Sequence, residues 1–420
     1  MTSQNINRTK TACFCAYFTM SSIFSLPPLL FVTFHDLYGV SFTLLGTLVL
    51  VNFFTQLAVD LILTLFSKHF NVHTIVKVMP LITTAGLLLY ALSPVLFPQN
   101  VYIGLLLGTV IFSLSAGLSE VLLSPMIAAI PSEHPQKDMS FLHSLYASGV
   151  FTVVILTTLF FSFFEKEHWM YLTVFFALLP IIAAVLFMRS PMPDMSASSN
   201  ESVGARSARR GVGLALCVGC IFFGSCAENV MSNWISGYIE STFAIDKAMG
   251  DILGMALFAL LLWFARVSFS KYGKHIMAVL LAGMSGAAVC YLIAGLTSHT
   301  AVALAACAMT GLFTAMLWPG SLIMMEENLP AAGVTAYALM ASGGDLGASV
   351  APQLMGIVVD RVSASGFATD LALRTGLSTE QIGMKTGMLV SSLFPIIGTV
   401  LLLFVIRYFK RRRMTDTNSK

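Results

Sequence analysis

The chain has 420 residues, of which 57% are apolar and 10% are charged, with a mean hydropathy of +0.84. Soluble domains carry about 25% charged residues, so this composition excludes a water-soluble enzyme or binding module and predicts a protein embedded in a lipid bilayer. The net charge of +3 is too small to indicate a nucleic-acid surface, and no nucleic-acid partner is expected.

Twelve membrane-spanning helices are predicted from apolar stretches of about 20 residues that end at charged residues, Gly, Pro or Asn. In chain order they lie at about 11–34, 43–66, 74–96, 101–130, 139–163, 168–188, 212–239, 247–268, 275–297, 300–325, 333–359 and 386–408. The predicted fold class is therefore all-α and integral to the membrane. All seven cysteines fall inside apolar runs, including Cys217-x-x-Cys220, so no disulfide framework, metal site or cofactor is expected.

The chain is expected to divide at its midpoint, where segment 189–211 has the composition of a linker. We therefore predict an N-terminal six-helix bundle over 1–188, a cytoplasmic linker over 189–211, a C-terminal six-helix bundle over 212–410 and a basic tail over 411–420. The other long stretch between predicted helices is 360–385, and neither stretch is long enough for a soluble domain. The polar start MTSQNINRTK precedes a full-length apolar span without a cleavage site, which predicts a retained first helix.

Orientation is predicted from the basic residues, because cytoplasmic loops are enriched in Lys and Arg. Eighteen of them, Arg266 among them, fall on one side of the predicted helices and five on the other. This bias places both termini and the linker in the cytoplasm and the protein in the cytoplasmic membrane. The KRRR cluster at 410–413 either anchors this topology or binds anionic lipid.

An internal repeat relates the two halves at an offset of 194 residues. Gly117-Leu118 and Pro125 in predicted helix four recur as Gly311-Leu312 and Pro319 in helix ten, and the L-x-A-S-G pattern at 145–149 recurs at 339–343. Two matches at one offset indicate two bundles of common design. Such pseudo-symmetry is typical of secondary transporters that alternate access to a midplane site.

Polar side chains inside a membrane face a cavity or a neighbouring helix. Asn52, Gln56 and Asp60 recur every four residues on one face of helix two, and helix four repeats the pattern around Glu120. Trp234 and Trp318 lie among such positions, where an aromatic face suits a sugar ring, although tryptophan also marks membrane interfaces. The residues expected to bind a solute are Asn52, Gln56, His143, Asn229, Asn233, Trp234, Trp318 and Gln353.

Four carboxylates, Asp60, Glu120, Glu228 and Asp345, lie within predicted spans with no Lys or Arg expected at comparable depth. An isolated carboxyl group in such a site can take up and release a proton. Glu120, Glu228 and Asp60 are therefore predicted to couple protons. Structural alternatives stay open: a hydrogen bond between helices for Glu120, and a place at the cytoplasmic gate beside Lys68 for Asp60.

Gating is predicted at Asp345, Pro125 and Pro319. Asp345 lies between glycines in SGGDLGAS, which indicates close helix packing and leaves a purely structural role open. Pro125, Pro319 and the Pro27-Pro28 pair should kink or break their helices, as gating segments require.

The whole chain resembles the major facilitator superfamily in its six-plus-six helices, basic central linker and internal repeat. The stretches GLSEVLLSPMIAAI and FGSCAENVMSNWISGYIES are similar to the fucose-permease-like sugar:proton symporters, which have an acid at the position of Glu120 and, in many members, an acid followed by Trp, as Glu228 and Trp234 are here. That branch also has an acid in helix one, where this chain reads SSIFSLPPLL.

These observations predict a secondary transporter for a small polar solute, a sugar above all, coupled to proton symport and sufficient as a monomer in the bilayer. The first alternative is a drug:proton antiporter, against which the number of interior Asn and Gln residues argues. A membrane enzyme or sensor is the second alternative, and the scattered histidines and the lack of a phosphate-binding loop argue against catalysis.

Overall fold

The computed structural model describes residues 3–66, 71–132, 135–192, 208–243, 245–272, 275–329 and 334–418. Within those ranges the chain forms helices and no strand, and every predicted span is helical. Ten of the described helices are long and apolar enough to cross a membrane. Two predicted spans are not among these ten. The apolar part of 139–163 that the structure describes is the shorter stretch Ser148–Phe163, and the described part of 333–359 lies in the helix Val334–Ser363.

The helices form two compact units. The first contains 1–40 and 47–200, and the second contains 41–46 and 201–420. The division between residues 200 and 201 falls inside the predicted linker 189–211. Assignment of 41–46 to the second unit was not anticipated from the sequence.

In the described ranges the first unit contains eight α-helices, of which α3 begins within 41–46 of the second unit, and a short 3-10 helix (Lys166–His168). The α-helices are α1 (Ser3–Leu29), α2 (Phe31–Tyr38), α3 (Phe42–Phe66), α4 (Val72–Ala91), α5 (Ser93–Leu96), α6 (Val101–Ala129), α7 (Pro135–Phe163) and α8 (Trp169–Met188). Helix α1 packs on α7 and α8, and α4 packs on α6 and α8. The predicted break after Pro27 and Pro28 is present, since α1 ends and α2 begins on either side of Leu30.

The second unit is organised around one long helix. Its described helices are α9 (Ala208–Phe243), α10 (Lys247–Gly250), a π-helix (Asp251–Ala256), α11 (Leu257–Tyr272), α12 (Ile276–Leu296), α13 (Thr300–Thr314), α14 (Leu317–Asn328), α15 (Val334–Ser363), α16 (Gly366–Thr375), α17 (Thr379–Ser391) and α18 (Leu393–Asn418). Helix α9 contacts α13, α14, α15, α17 and α18. The stretch 360–385, which lies between predicted spans, contains α16, capped by Ser365, and the start of α17.

The glycines of the internal repeat make equivalent helix contacts in the two units. A Cβ atom on Gly117 of α6 would lie 2.9 Å from Val59 of α3, and one on Gly311 of α13 would collide with the Phe258 carbonyl of α11. Likewise, a Cβ on Gly149 of α7 would meet α1, and one on Gly343 of α15 would meet α9. The repeated glycines therefore occupy equivalent positions in the two units. In each unit they allow the same pairs of helices to pack closely.

The first turn of α3 is capped by a side chain from α15. Asp360 Oδ1 accepts a hydrogen bond from the Phe42 amide at 3.1 Å, and its Oδ2 accepts one from the Thr43 amide at 2.6 Å. A Cβ on Gly356 would collide with the Phe42 carbonyl, so glycine permits this approach. Asp360 therefore satisfies two of the amides that a helix start leaves without partners, and this explains why 41–46 groups with the second unit.

Candidate functional site

Helices α3 and α6 present their polar faces to each other around Gly117. Because position 117 has no side chain, the α6 backbone comes close to α3, where its hypothetical Cβ would lie 3.1 Å from Gln56 Cα. The four-residue spacing on α3 and the matching spacing on α6 then place two rows of polar groups along one interface. This interface lies wholly within the first unit.

An amide and hydroxyl cluster forms at this interface. Gln56 Nε2 donates to Asn52 Oδ1 at 2.9 Å, and Ser113 Oγ lies 2.7 Å from the same oxygen. Gln56 and Asn52 are buried, with 1% and 7% of their surfaces exposed. The sequence prediction that these two amides share a face is therefore confirmed. Such a cluster offers donors and acceptors in an otherwise apolar interior.

Asp60 lies one turn beyond Gln56 on α3, and Glu120 lies two turns beyond Ser113 on α6. Their carboxyl groups are close enough to interact electrostatically. Asp60 Oδ1 is buried and has no hydrogen-bond partner among the described residues, whereas Glu120 is exposed. Lys68, the expected neighbour of Asp60 at a cytoplasmic gate, lies outside the described residues. The first unit therefore brings together four predicted residues: two amides and two carboxyl groups.

The polar residues of α9 mostly bond within their own helix. Asn229 Nδ2 donates to the Ser225 carbonyl at 3.0 Å, and Asn233 Nδ2 donates to the Asn229 carbonyl at 2.8 Å. Asn233 is buried, and Asn229 is half-buried. The amide nitrogens of these two predicted solute-binding residues are thus engaged along one face of α9.

Glu228 forms an ion pair that the sequence analysis did not foresee. Arg266 Nη2 of α11 lies 3.2 Å from Glu228 Oε1 and 3.4 Å from Oε2. The side chains of Glu228 and Arg266 are 19% and 36% exposed. The expectation that no basic residue lies beside this carboxylate is therefore wrong. Arg266 was assigned to a cytoplasmic helix end from its position in the sequence, and only helix packing shows that its guanidinium reaches α9.

Trp234 is a packing residue in this structure. Its side chain is fully buried, its Nε1 donates to the Pro352 carbonyl at 3.1 Å, and its ring lies 6.0 Å from the ring of Phe42. Next to this contact, Gln353 is half-buried, and its Oε1 is buried without a hydrogen-bond partner among the described residues. Of these two residues predicted to bind the solute, Gln353 has an amide oxygen without a hydrogen-bond partner among the described residues. The Trp234 ring is buried in packing contacts.

Trp318 and Asp345 lie where α14 and α15 meet. A Cβ on Gly344 would collide with the Trp318 indole, so the ring lies directly on the α15 backbone. Asp345 is buried, with 6% of its surface exposed, between Gly344 and Gly347. The predicted close helix packing around Asp345 is confirmed. Trp318 remains partly exposed, as a ring that contacts a solute must be.

The prolines predicted to gate behave differently from each other. Pro319 follows a break, since α13 ends at Thr314 and α14 begins at Leu317. Helix α6 continues without a break through position 125. The side chains of Pro125 and His143 lie outside the described residues, so their predicted roles stay predictions.

A model of the Major Facilitator Superfamily matches residues 11–352, which is most of the chain. The chain belongs to the major facilitator superfamily. No curated protein sequence matches it. Membership of this family makes the chain a multi-pass membrane transporter of the twelve-helix, two-bundle fold rather than an enzyme.

Solved transporter structures share this fold along their whole length. A bacterial homolog of the human lysosomal transporter Spinster, in an inward-facing and occupied conformation, is 12% identical, with a TM-score of 0.78 over 98% of this chain and 99% of that one. The nucleoside transporter NupG is 13% identical, with a TM-score of 0.73 over 96% and 99%. A D-xylose-proton symporter is 14% identical, with a TM-score of 0.68 over 93% and 96%. At these identities the likeness concerns the fold alone.

Proposed function

We propose that this major facilitator moves a small polar solute, a sugar above all, across the cytoplasmic membrane by alternating access and in symport with protons. The observation that carries the proposal is the cluster of Asn52, Gln56 and Ser113 beside Asp60 and Glu120 on α3 and α6. Amides and hydroxyls bind the hydroxyl groups of a sugar, and a carboxyl group binds a proton. Both kinds of group lie on one interface of the first unit.

In this proposal Glu120 is the main proton carrier and Asp60 its partner. Glu120 is exposed, so a proton can reach it, and Asp60 has a buried oxygen without a hydrogen-bond partner among the described residues. A proton on either carboxyl group would remove the electrostatic repulsion between the two. If a bound proton changes the affinity for the solute, then the bound solute changes the affinity for the proton by the same factor. This reciprocity is the thermodynamic basis of coupling. Arg266 balances the charge of Glu228. In this proposal Glu228 therefore takes part in proton coupling only if that ion pair opens.

The remaining predicted residues have secondary places in the proposal. Trp318, which is partly exposed, and Gln353, whose amide oxygen has no hydrogen-bond partner among the described residues, are the solute contacts we assign to the second unit, together with Asn229 and Asn233. His143 is assigned to the solute site from its sequence position alone. The resemblance of two sequence stretches to the fucose-permease-like branch supports a sugar. In fold the chain is similar both to a D-xylose-proton symporter and to a nucleoside transporter, so the fold does not choose between these solutes. The excess of Lys and Arg in alternate loops supports cytoplasmic termini, and one chain suffices for the fold.

The proposal is tested by a thermal-shift screen of the purified protein against monosaccharides, disaccharides, nucleosides and lipophilic cations. We expect one sugar to raise the melting temperature and Asn52→Ala to abolish the shift. Asn328→Ala is the matched control, because the Asn328 amide bonds the Met324 carbonyl of its own helix outside the cluster. Stabilisation by lipophilic cations alone would replace the proposal with a drug:proton antiporter. A shift unchanged by Asn52→Ala would remove the cluster from the solute site.

A further inference from the structure

A backbone acceptor is left without its helical partner at Ala315. In a regular helix the Ala315 carbonyl would accept a hydrogen bond from the amide of residue 319, but Pro319 has no N–H. An unsatisfied carbonyl in a membrane-embedded helix is costly, so such breaks persist only where another group supplies a donor. Arg266 supplies it: its Nε donates to the Ala315 carbonyl at 2.9 Å.

The same guanidinium also reaches a third helix. While Nε bonds the break between α13 and α14, Nη2 contacts both carboxylate oxygens of Glu228 on α9, at 3.2 and 3.4 Å. Arg266 itself belongs to α11. A planar group with several N–H donors in fixed directions can make these contacts together. One side chain therefore joins α9, α11 and the broken helix.

The segment around the break also approaches glycines of three neighbouring helices closely. A Cβ on Gly224 of α9 would lie 2.8 Å from Leu317 Cβ, one on Gly283 of α12 would lie 3.3 Å from Leu317 Cδ2, and one on Gly344 of α15 would collide with the Trp318 ring. Trp318 follows Ala315 by three residues. Its orientation therefore depends on the geometry of the break that Arg266 stabilises.

We propose that Arg266 is a positioning residue for Trp318: it replaces the hydrogen bond that Pro319 removes and ties the break to Glu228, so that the indole faces the solute. The inference rests on the proposed function in one respect, the role of Trp318 as a solute contact. Lysine at position 266 would keep the charge but lacks the planar fork, so it cannot reproduce both contacts.

The pairing of Arg266 with Pro319 gives a test that needs no solute. Acrylamide quenching is measured for the emission of Trp318, obtained by subtracting the spectrum of the same protein with Trp318→Phe. We expect Arg266→Lys to raise the quenching constant and shift the emission to longer wavelength, because the ring is no longer held on α15. Arg374→Lys is the matched control, since Arg374 is exposed at the end of α16.

Pro319→Ala supplies the missing amide and should make Arg266 less necessary. In that background we expect Arg266→Lys to produce less than about half of its effect on Trp318, a coupling read as a double-mutant cycle. If Arg266→Lys alone fails to fold, recovery of folded protein by the added Pro319→Ala supports the proposal, and no recovery contradicts it. Equal effects in both backgrounds, or unchanged Trp318 emission in Arg266→Lys, would also overturn it.

A second readout separates this inference from the proposed function. With the sugar found in the thermal-shift screen, or D-xylose if none is found, Arg266→Lys should raise KM in proteoliposome counterflow more than it lowers kcat. Altered Trp318 emission without any sugar transport would leave the positioning role intact and remove the sugar proposal. Unaltered Trp318 emission together with sugar transport would leave the sugar proposal intact and overturn the positioning role of Arg266.

Discussion

The close approach of α3 and α6 at Gly117 predicts the outcome of a one-carbon substitution. A Cβ at this position would lie 2.9 Å from Val59 Cβ and 3.1 Å from Gln56 Cα. Carbon atoms pack best at about 3.5 to 4.0 Å, so Gly117→Ala must move the two helices apart by roughly 0.6 Å or more. The shift would separate Asn52 and Gln56 on α3 from Ser113 on α6.

The magnitude follows from two opposing effects. Overpacking an interior costs about 1–3 kcal/mol, while replacing a helical glycine by alanine gains up to about 1 kcal/mol. Gly211→Ala in α9 isolates the second effect, because a Cβ there meets nothing within 4 Å. We therefore expect Gly117→Ala to be less stable than Gly211→Ala by about 1–3 kcal/mol.

The comparison is made by titrating each variant from mild detergent into SDS and following unfolding by circular dichroism. Counterflow of labelled sugar in proteoliposomes gives the functional readout, which we expect to fall in Gly117→Ala and not in Gly211→Ala. Equal free energies of unfolding and equal counterflow for the two variants would refute the close-contact account of the α3–α6 interface.

Three further substitutions have defined outcomes. Trp234→Phe removes the donor to the Pro352 carbonyl and should cost about 0.5–1.5 kcal/mol in SDS unfolding while leaving the solute KM unchanged, and a raised KM would return Trp234 to the solute site. Asp360→Ala uncaps α3 and should cost about 0.5–2 kcal/mol, against no measurable loss for the exposed Asp370→Ala; equal losses would contradict the capping. Gly344→Ala should displace the Trp318 ring and raise the solute KM in counterflow, and an unchanged KM would exclude Trp318 as a contact.

The helices could be predicted because long apolar runs have one stable form in lipid, where every backbone group must be bonded internally. The repeated glycines also pointed correctly to equivalent contacts, as Gly117 and Gly311 show. On α3, a spacing of four residues was enough to group Asn52 with Gln56. These features are local or periodic, and so the sequence reveals them without knowledge of packing.

The contacts that the sequence did not reveal join residues far apart in the chain. Arg266 lies 38 residues from Glu228 and 49 from Ala315, and its place near a helix end suggested a role in topology. One signal was present: Pro319 leaves the Ala315 carbonyl without a helical donor, so a donor from another helix was required. Burial of Trp234 had no such signal, because a tryptophan among polar residues fits packing and binding equally well.

The most direct test of the proposed symport is accumulation of the sugar in proteoliposomes driven by an imposed proton gradient, measured for the native protein and for Glu120→Gln. Counterflow without a gradient is measured beside it, since exchange needs solute binding and alternating access but no net proton movement. The account predicts that Glu120→Gln abolishes gradient-driven accumulation and retains counterflow. Accumulation of the sugar by Glu120→Gln at the native level would contradict it.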